Sequence, residues 1–210
     1  MVTFEALQQR VSSRLKDPDN VDISVSNVSA IINDSIRHWS RKRFWFNEFQ
    51  ETVILTAGNP VFALTTNPNP IEIFKKGGMT IDYGSTRWPL QKVSPKEYDE
   101  MNAQGRGIPF VWVYRNGGYE VYWYPSADYN LIVRGLKRYD DLVNNIDTND
   151  FTNNAVSLIM YEALARAYAE FRQDEKMEAY YSARARNEFN ILKEETNNQN
   201  ASGHFHVEGL

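Results

Sequence analysis

The chain has 210 residues, 42% hydrophobic and 24% charged, a composition typical of one folded domain with a sizeable core and not of a disordered protein. A formal net charge of −4 gives no strongly positive surface field, which excludes a free-standing DNA-binding protein and leaves only local contact with DNA. The absence of cysteine excludes disulfide bonds, thiolate metal sites and thiol nucleophiles together.

The first two predicted elements are helices. Across residues 3–16 apolar residues recur every three or four positions, and Thr3 is placed to cap the first turn. A turn at residues 17–20 ends this helix. The second helix is predicted over residues 24–42, with an apolar stripe formed by Val28, Ile32, Ile36 and Trp39.

The middle of the chain has the pattern of strands and turns. Between residues 51 and 138, short runs rich in Val, Ile, Tyr and Trp are separated by Gly, Pro and Asn. The strongest hairpin signal joins residues 110–115 to residues 119–125, because Asn and Gly in the intervening turn supply the positive φ that a tight turn needs. A small helix over residues 95–104 is predicted from Ser94 as its cap.

The strongest helical signal covers residues 153–171. Apolar residues occupy one side of this helix and form a smaller strip on the opposite side, so we expect neighbours on both sides. After Gln173-Asp174 a fourth helix follows, and the short break predicts an antiparallel helical hairpin. Residues 196–210 begin Asn-rich and have no apolar period, which predicts a flexible tail.

Taken together, these elements predict an α+β fold that is mainly α. Residues 1–48 and 150–195 are expected to form a four-helix bundle, with residues 49–149 as a central β-rich insertion. The last part is an extended C-terminal tail, residues 196–210. No run of the sequence approaches the length of a membrane span and no export signal opens it, so we expect no membrane partner.

Motifs for catalysis, cofactors and metals are missing from the sequence. It has no phosphate-binding glycine loop, no nucleophile elbow and no HExxH helix, so we predict neither an enzyme nor a bound cofactor. His204 and His206 form a pair in the tail without a third ligand, so no metal site is predicted. The acidic residues Asp147 and Asp150, with Asn149, are interpreted as loop and helix-cap residues.

A basic cluster ends the second helix and comprises Arg37, Arg41, Lys42 and Arg43. Arg37 and Arg41 fall on the side opposite the apolar stripe, so a ring of such chains could present them to passing DNA phosphates. The simpler interpretation, which we favour at this point, is that these cations stay solvated and complement the dipole of the helix C-terminus.

Five segments spread over almost the whole chain carry a pattern shared with a known family. They are Thr3-Phe-Glu-Ala-Leu7, Val28 to Trp39, Trp88 to Tyr98, Tyr124-Pro125-Ser-Ala-Asp-Tyr129 and Tyr161 to Glu175. In these segments the chain resembles the head-to-tail adaptors, also called connector or neck proteins, of tailed bacteriophages. None of the segments is a catalytic signature.

This resemblance implies a structural virion protein that assembles in the bacterial host cytoplasm. It implies a homo-oligomeric ring, expected to be a dodecamer, that docks under the portal, extends the channel through which packaged double-stranded DNA passes, and contacts a tail or nozzle protein. In such adaptors the C-terminal segment commonly binds the portal, which assigns Phe205, Val207 and Leu210 to that contact. In such a ring we predict that Arg37 and Arg41 face the channel, because a surface lying against packaged DNA gains from phosphate contacts.

Two other functions stay open at this point. A tail or tail-tip module would use the aromatic hairpin to bind glycan, although strand propensity and packing explain the same aromatic residues at least as well. A hydrolase would need paired carboxylates in a cleft, and the sequence alone does not place Asp and Glu residues together.

Overall fold

The computed structural model describes residues 1–66, 69–75, 77–84, 86–101 and 105–201, without the side chains of residues 200 and 201. The chain divides into two compact units. The helical unit comprises Met1–Asn47 and Tyr139–Leu210, and the β unit comprises Glu48–Arg138.

The helical unit contains most of the helices. The helices of the described residues are α1 (Phe4–Arg14), α2 (Val25–Trp39), α3 (Pro95–Glu100), α4 (Asp150–Asn154), α5 (Val156–Ala167) and α6 (Glu175–Ala201), with a π-helical turn, Tyr168–Arg172, between the last two. Side chains cap the first two helices: Thr3 Oγ1 accepts from the Ala6 N–H (3.3 Å) and Ser24 Oγ from the Asn27 N–H (3.3 Å).

Helix α5 lies at the centre of the helical unit. It packs against α1, α2 and α6, and Leu158, Ile159 and Leu164 are fully buried. Next to it, Phe44 and Phe151 meet edge to face with ring centroids 6.0 Å apart. Both apolar strips of α5 therefore have buried members, although Val156 and Tyr161 are only half-buried.

The β unit is built from eleven short strands among the described residues. They are β1 (Glu48–Leu55), β2 (Val61–Phe62), β3 (Glu72–Ile73), β4 (Met79–Tyr83), β5 (Thr86–Pro89), β6 (Gln91–Lys92), β7 (Arg106–Gly107), β8 (Val111–Arg115), β9 (Gly118–Tyr122), β10 (Tyr124–Pro125) and β11 (Tyr129–Leu136). Helix α3 follows β6 and begins with a capping box between Ser94 and Glu97.

Three sheets organise these strands. One has the order β1-β11-β4-β5 with β3 also paired to β11, a second has the order β2-β9-β8-β6, and β7 pairs with β10 in parallel. Trp112 and Val121 of the second sheet and Ile81 and Leu131 of the first belong to one buried cluster. The β unit therefore has a hydrophobic core of its own.

The predicted hairpin is confirmed. Strands β8 and β9 are antiparallel with Val113 opposite Glu120, and Asn116 and Gly117 occupy the turn with φ values of 51° and 77°. Both central residues having positive φ is the backbone of a type I′ turn, whose twist matches that of the flanking strands.

The prediction of a mainly α fold, a four-helix bundle with a central β-rich insertion, is wrong. Among the described residues the structure has six helices, with 41% of those residues helical and 23% in strands that form several sheets. The helix predicted over residues 153–171 is divided in three, because Ala155 adopts a non-helical conformation between α4 and α5 and a π-helical turn follows Ala167. Alanine favours helices, so composition gives no sign of that first break.

Helix α6 extends further than the sequence indicates. It continues to Ala201 and so includes residues 196–201, which the sequence pattern assigns to the tail. Thr196 is 4% exposed. Its hydroxyl donates to the Leu192 carbonyl (2.7 Å) and accepts from the backbone N–H of Trp45 (3.2 Å).

Candidate functional site

The basic cluster at the end of α2 is exposed, but its first member is paired. Arg37 donates to both oxygens of Asp141 at 2.6 and 2.7 Å and also to Asp34. Hydrogen bonds from Arg37 to Asp34 and Asp141 raise the pKa of the Arg37 guanidinium above its ordinary value. The trio carries a net charge of −1, so Arg37 presents little positive field to an anion.

Of Arg37 and Arg41, the two cations expected to face DNA, Arg41 is the one that is not ion-paired among the described residues. Arg41 and Lys42 follow the end of α2 and are exposed. Arg41 makes no ion pair within the described part of the chain. A guanidinium that is not already held by carboxylates is free to contact phosphate.

The hairpin over residues 110–125 has both buried and exposed rings, since Phe110, Tyr114 and Trp123 are 44%, 46% and 38% exposed. Trp112, Tyr119 and Tyr122 are buried, and Tyr119 stacks on Phe62 with ring centroids 5.5 Å apart. Burial raises the pKa of the Tyr119 phenol to about 12. A glycan platform needs exposed rings, so these three side chains act in packing.

A small cavity of about 210 Å³ lies beside this hairpin and α3. Arg115 lines it, donating to Asp99 (2.7 Å) and forming an ion pair with Glu120 (2.6 Å). The Arg115 guanidinium lies 4.7 Å from the centre of the Tyr98 ring. Both carboxylates are thus bound to one cation. The described residues that line the cavity include no Ser, His or Lys.

The acidic loop before α4 has a structural role. Asp147 accepts the N–H groups of Val143 (2.8 Å) and Asn144 (2.7 Å), and Asn149 caps α4 by accepting from Phe151 and Thr152. Within the described residues no group of three or more His, Asp or Glu side chains is arranged to hold a metal ion. His204 and His206 lie outside the described residues, as do Phe205, Val207 and Leu210.

Comparison with known proteins decides the family. A family model described as SU10 adaptor protein matches residues 2–205, which is nearly the entire chain and includes both compact units. The chain belongs to the SU10 adaptor protein family. This is a family of phage head-to-tail adaptors, so the resemblance identified from the sequence is confirmed. No protein with a curated description matches the chain.

As a member of this adaptor family, the chain is a structural phage protein and a component of the virion. Helices long and apolar enough to cross a bilayer are not found in the described parts of the adaptor. The charged side chains around Arg37 and around Arg115 are bound to one another.

Sequence reasoning missed several partners of the functional candidates. Asp34 lies three residues before Arg37 in the adaptor sequence, a spacing that could have suggested the ion pair. Asp141 is 104 residues away, and nothing in the sequence links it to Arg37. The role of Thr196 was missed for the same reason, because its partner Trp45 lies in a distant segment.

Proposed function

We propose that this protein assembles as a ring, expected to contain twelve copies, under the portal of a tailed phage. In that position it extends the channel for DNA and provides the surface to which a tail or nozzle protein attaches. The observation that carries this proposal is the family match over residues 2–205. The protein acts as a structural subunit without a catalytic step or a cofactor.

The contact with the portal is assigned to the end of the chain. Phe205, Val207 and Leu210 are the large apolar residues after α6, and each contributes roughly 1.5–3 kcal/mol when fully buried against a partner. The hydrogen bond between Thr196 and Trp45 supports this assignment, since it holds α6 to the helical unit close to the point where the tail begins.

The contact with DNA is assigned to Arg37 and Arg41. Both are exposed at the end of α2, and a channel that holds packaged DNA benefits from cations that contact phosphate without reading bases. Arg41 supplies the larger part of this contact because Asp34 and Asp141 already bind Arg37.

The experiment that tests the proposal mixes the purified adaptor with purified portal rings. Co-sedimentation followed by electron cryomicroscopy should show a second ring of density on one face of the portal, with one adaptor copy for each portal subunit. A portal that sediments without adaptor at micromolar concentrations of both proteins would contradict the proposal.

A further inference from the structure

A shallow groove runs between α1 and α5 in the helical unit. Its volume is about 610 Å³, and Ala6, Val156 and Met160 supply apolar side chains. Arg10 and Arg14 also line it, and the described residues around it include no carboxylate. The groove is therefore apolar along its base and positively charged at its side.

A third cation extends this charge. The Arg184 guanidinium lies 4.9 Å from the centre of the Tyr180 ring and 5.6 Å from that of Tyr161, and it donates to the Tyr161 hydroxyl (3.3 Å). Arg14 lies 5.8 Å from the same Tyr161 ring. Aromatic faces orient guanidinium groups while leaving their N–H edges open to carboxylates.

None of these three arginines forms an ion pair with an Asp or Glu side chain among the residues that the structure describes. Arg10, Arg14 and Arg184 make no ion pair there, and all three are exposed. Elsewhere, Arg37, Arg115, Arg166 and Arg172 each pair with a carboxylate. The arginines of the groove therefore have no acidic partner in the described part of the same subunit.

A surface of complementary character lies near the other end of α6. Ile191 is 44% exposed, and Glu194 and Glu195, three and four residues later, are also exposed. Residues at these spacings share one helix face, whereas Lys193, at a spacing of two, points elsewhere. The face therefore combines an apolar side chain with two adjacent carboxylates.

We propose that the groove between α1 and α5 receives this face of α6 from a neighbouring copy. The inference rests on the proposed ring and identifies one contact that closes it. Ile191 enters the apolar base of the groove, and Glu194 and Glu195 meet Arg10 and Arg14. Because Arg184 and Glu194 are ten residues apart, about 15 Å along the helix, one copy can use its groove and its acidic face toward two different neighbours.

The absence of native cysteine permits a direct test. In one chain, Ser13→Cys in the groove and Ile191→Cys on the acidic face should form disulfides between copies under mild oxidation at high protein concentration, giving a ladder of linked multimers. The control pairs Ile191→Cys with Lys96→Cys, whose side chain is exposed in α3. A ladder no stronger than that of the control would overturn the contact.

Charge reversal provides the second test, with cross-linking as its readout. In the cysteine-bearing chain, Arg10→Glu with Arg14→Glu, or Glu194→Lys with Glu195→Lys, should each lower the cross-linked yield about tenfold. Combining all four reversals should restore it. The control reversals Lys96→Glu and Arg106→Glu should leave the cross-linked yield unchanged. The pairing is contradicted if the controls lose as much yield as the two double reversals, or if the combined variant does not regain it.

These outcomes separate the contact from the function. Cross-linking is measured on the free adaptor as well as on portal-bound rings. A failure to bind portal therefore contradicts the proposed function, whereas the ladder alone decides whether the contact exists. Rings that form on the portal without any linked multimers would reject the contact and keep the function.

Discussion

At the scale of single residues, Asp17 shows how backbone N–H groups stabilise an ionised carboxylate. Its carboxylate sits behind α1 and accepts the N–H groups of Val21 (2.8 Å), Asp22 (3.1 Å) and Ile23 (2.8 Å). The hydrogen bond from Ile23, followed by those from Asp22 and Val21, lowers the pKa of Asp17 below its ordinary value of 3.8, against the opposing effect of burial. The ionised carboxylate therefore fixes the loop that leads into α2.

The first prediction concerns acid stability. Since the folded pKa of Asp17 lies below the unfolded value, its contribution is complete above about pH 4 and is lost as the pH falls through the folded pKa. Asp17→Asn should lower the melting temperature at pH 7, and the difference from wild type should shrink below pH 4. Exposed Asp19→Asn is the control. A difference in melting temperature between wild type and Asp17→Asn that stays constant from pH 7 to pH 3 would contradict this account.

The second prediction concerns the cations assigned to the channel. Arg41→Gln should change the free energy of unfolding by less than about 0.5 kcal/mol, because an exposed cation without a partner contributes little. Arg37→Gln should cost less than about 1 kcal/mol, since Arg37, Asp34 and Asp141 are each about half exposed. Both variants should keep portal binding while weakening the salt-dependent retention of DNA. A ring structure with both side chains on the outer wall would contradict the assignment to the channel.

At the scale of elements, α5 shows how periodicity predicts burial. Its sequence places apolar residues on two sides. In the smaller strip, formed by Leu158, Tyr161, Ala165 and Ala169, Leu158 and Ala165 are buried, Tyr161 is half-buried and Ala169, which lies beyond α5, is exposed. A helix with one exposed side would show a single apolar stripe. The need of α5 for neighbours could therefore be predicted, but not which helices would cover each side.

The third prediction measures that burial. Leu158→Ala should lower the free energy of unfolding by about 2–5 kcal/mol, because it removes a fully buried side chain and leaves a cavity. Val143→Ala, at a side chain that is 76% exposed, is the matched control and should cost less than about 0.5 kcal/mol. Denaturant unfolding of both variants provides the measurement. A loss below about 1 kcal/mol for Leu158→Ala would show that α5 is not central to the core.

Element boundaries were harder to predict than the elements. Thr3, Ser94 and the Asn116-Gly117 turn act locally, so the first helix, the start of α3 and the hairpin could be predicted. Pairs of two-residue strands such as β7 and β10 depend on partners distant in sequence, and no periodicity marks them. The β unit was therefore recognised as strands but not as three sheets.

The fourth prediction concerns the tail. Because α6 continues to Ala201, a deletion that removes only the tail begins at residue 202. Deleting residues 202–210 should leave the melting temperature unchanged and abolish co-sedimentation with portal rings. Deleting residues 196–210 should also lower the melting temperature, because it removes the buried Thr196 and its hydrogen bond with Trp45. If the shorter deletion still binds portal as well as the full chain, the helical unit or the β unit makes the attachment.

At the scale of the whole molecule, the fifth prediction is that the free protein is a monomer or a weak oligomer. The proposed contact uses one apolar side chain and two pairs of exposed charges, and such interactions are weak in water. A ring that closed before reaching the portal would also obstruct ordered assembly. Light scattering after size exclusion should give a mass near 24.4 kDa at low concentration. A stable dodecamer without portal would contradict this prediction.

Family membership could be predicted from the sequence although the fold class could not. The segments that carry the resemblance, such as residues 28–39 and 161–175, include buried stripes of α2 and α5 that packing requires. Whole-molecule architecture depends instead on how the short strands of Glu48–Arg138 pair with one another. Patterns of individual segments therefore identified the family without giving the arrangement of the sheets.

The length of α6 has a geometric consequence for the tail. Thr196 fixes the helix against Trp45, and five further helical residues carry the chain to Ala201, about 7.5 Å beyond that point. Each residue of a helix turns the chain by about 100°, so the direction in which the tail departs is set by a count of residues. Inserting or removing a single residue between Thr196 and Ala201 would therefore redirect the tail around the helix axis while changing its reach by only about 1.5 Å.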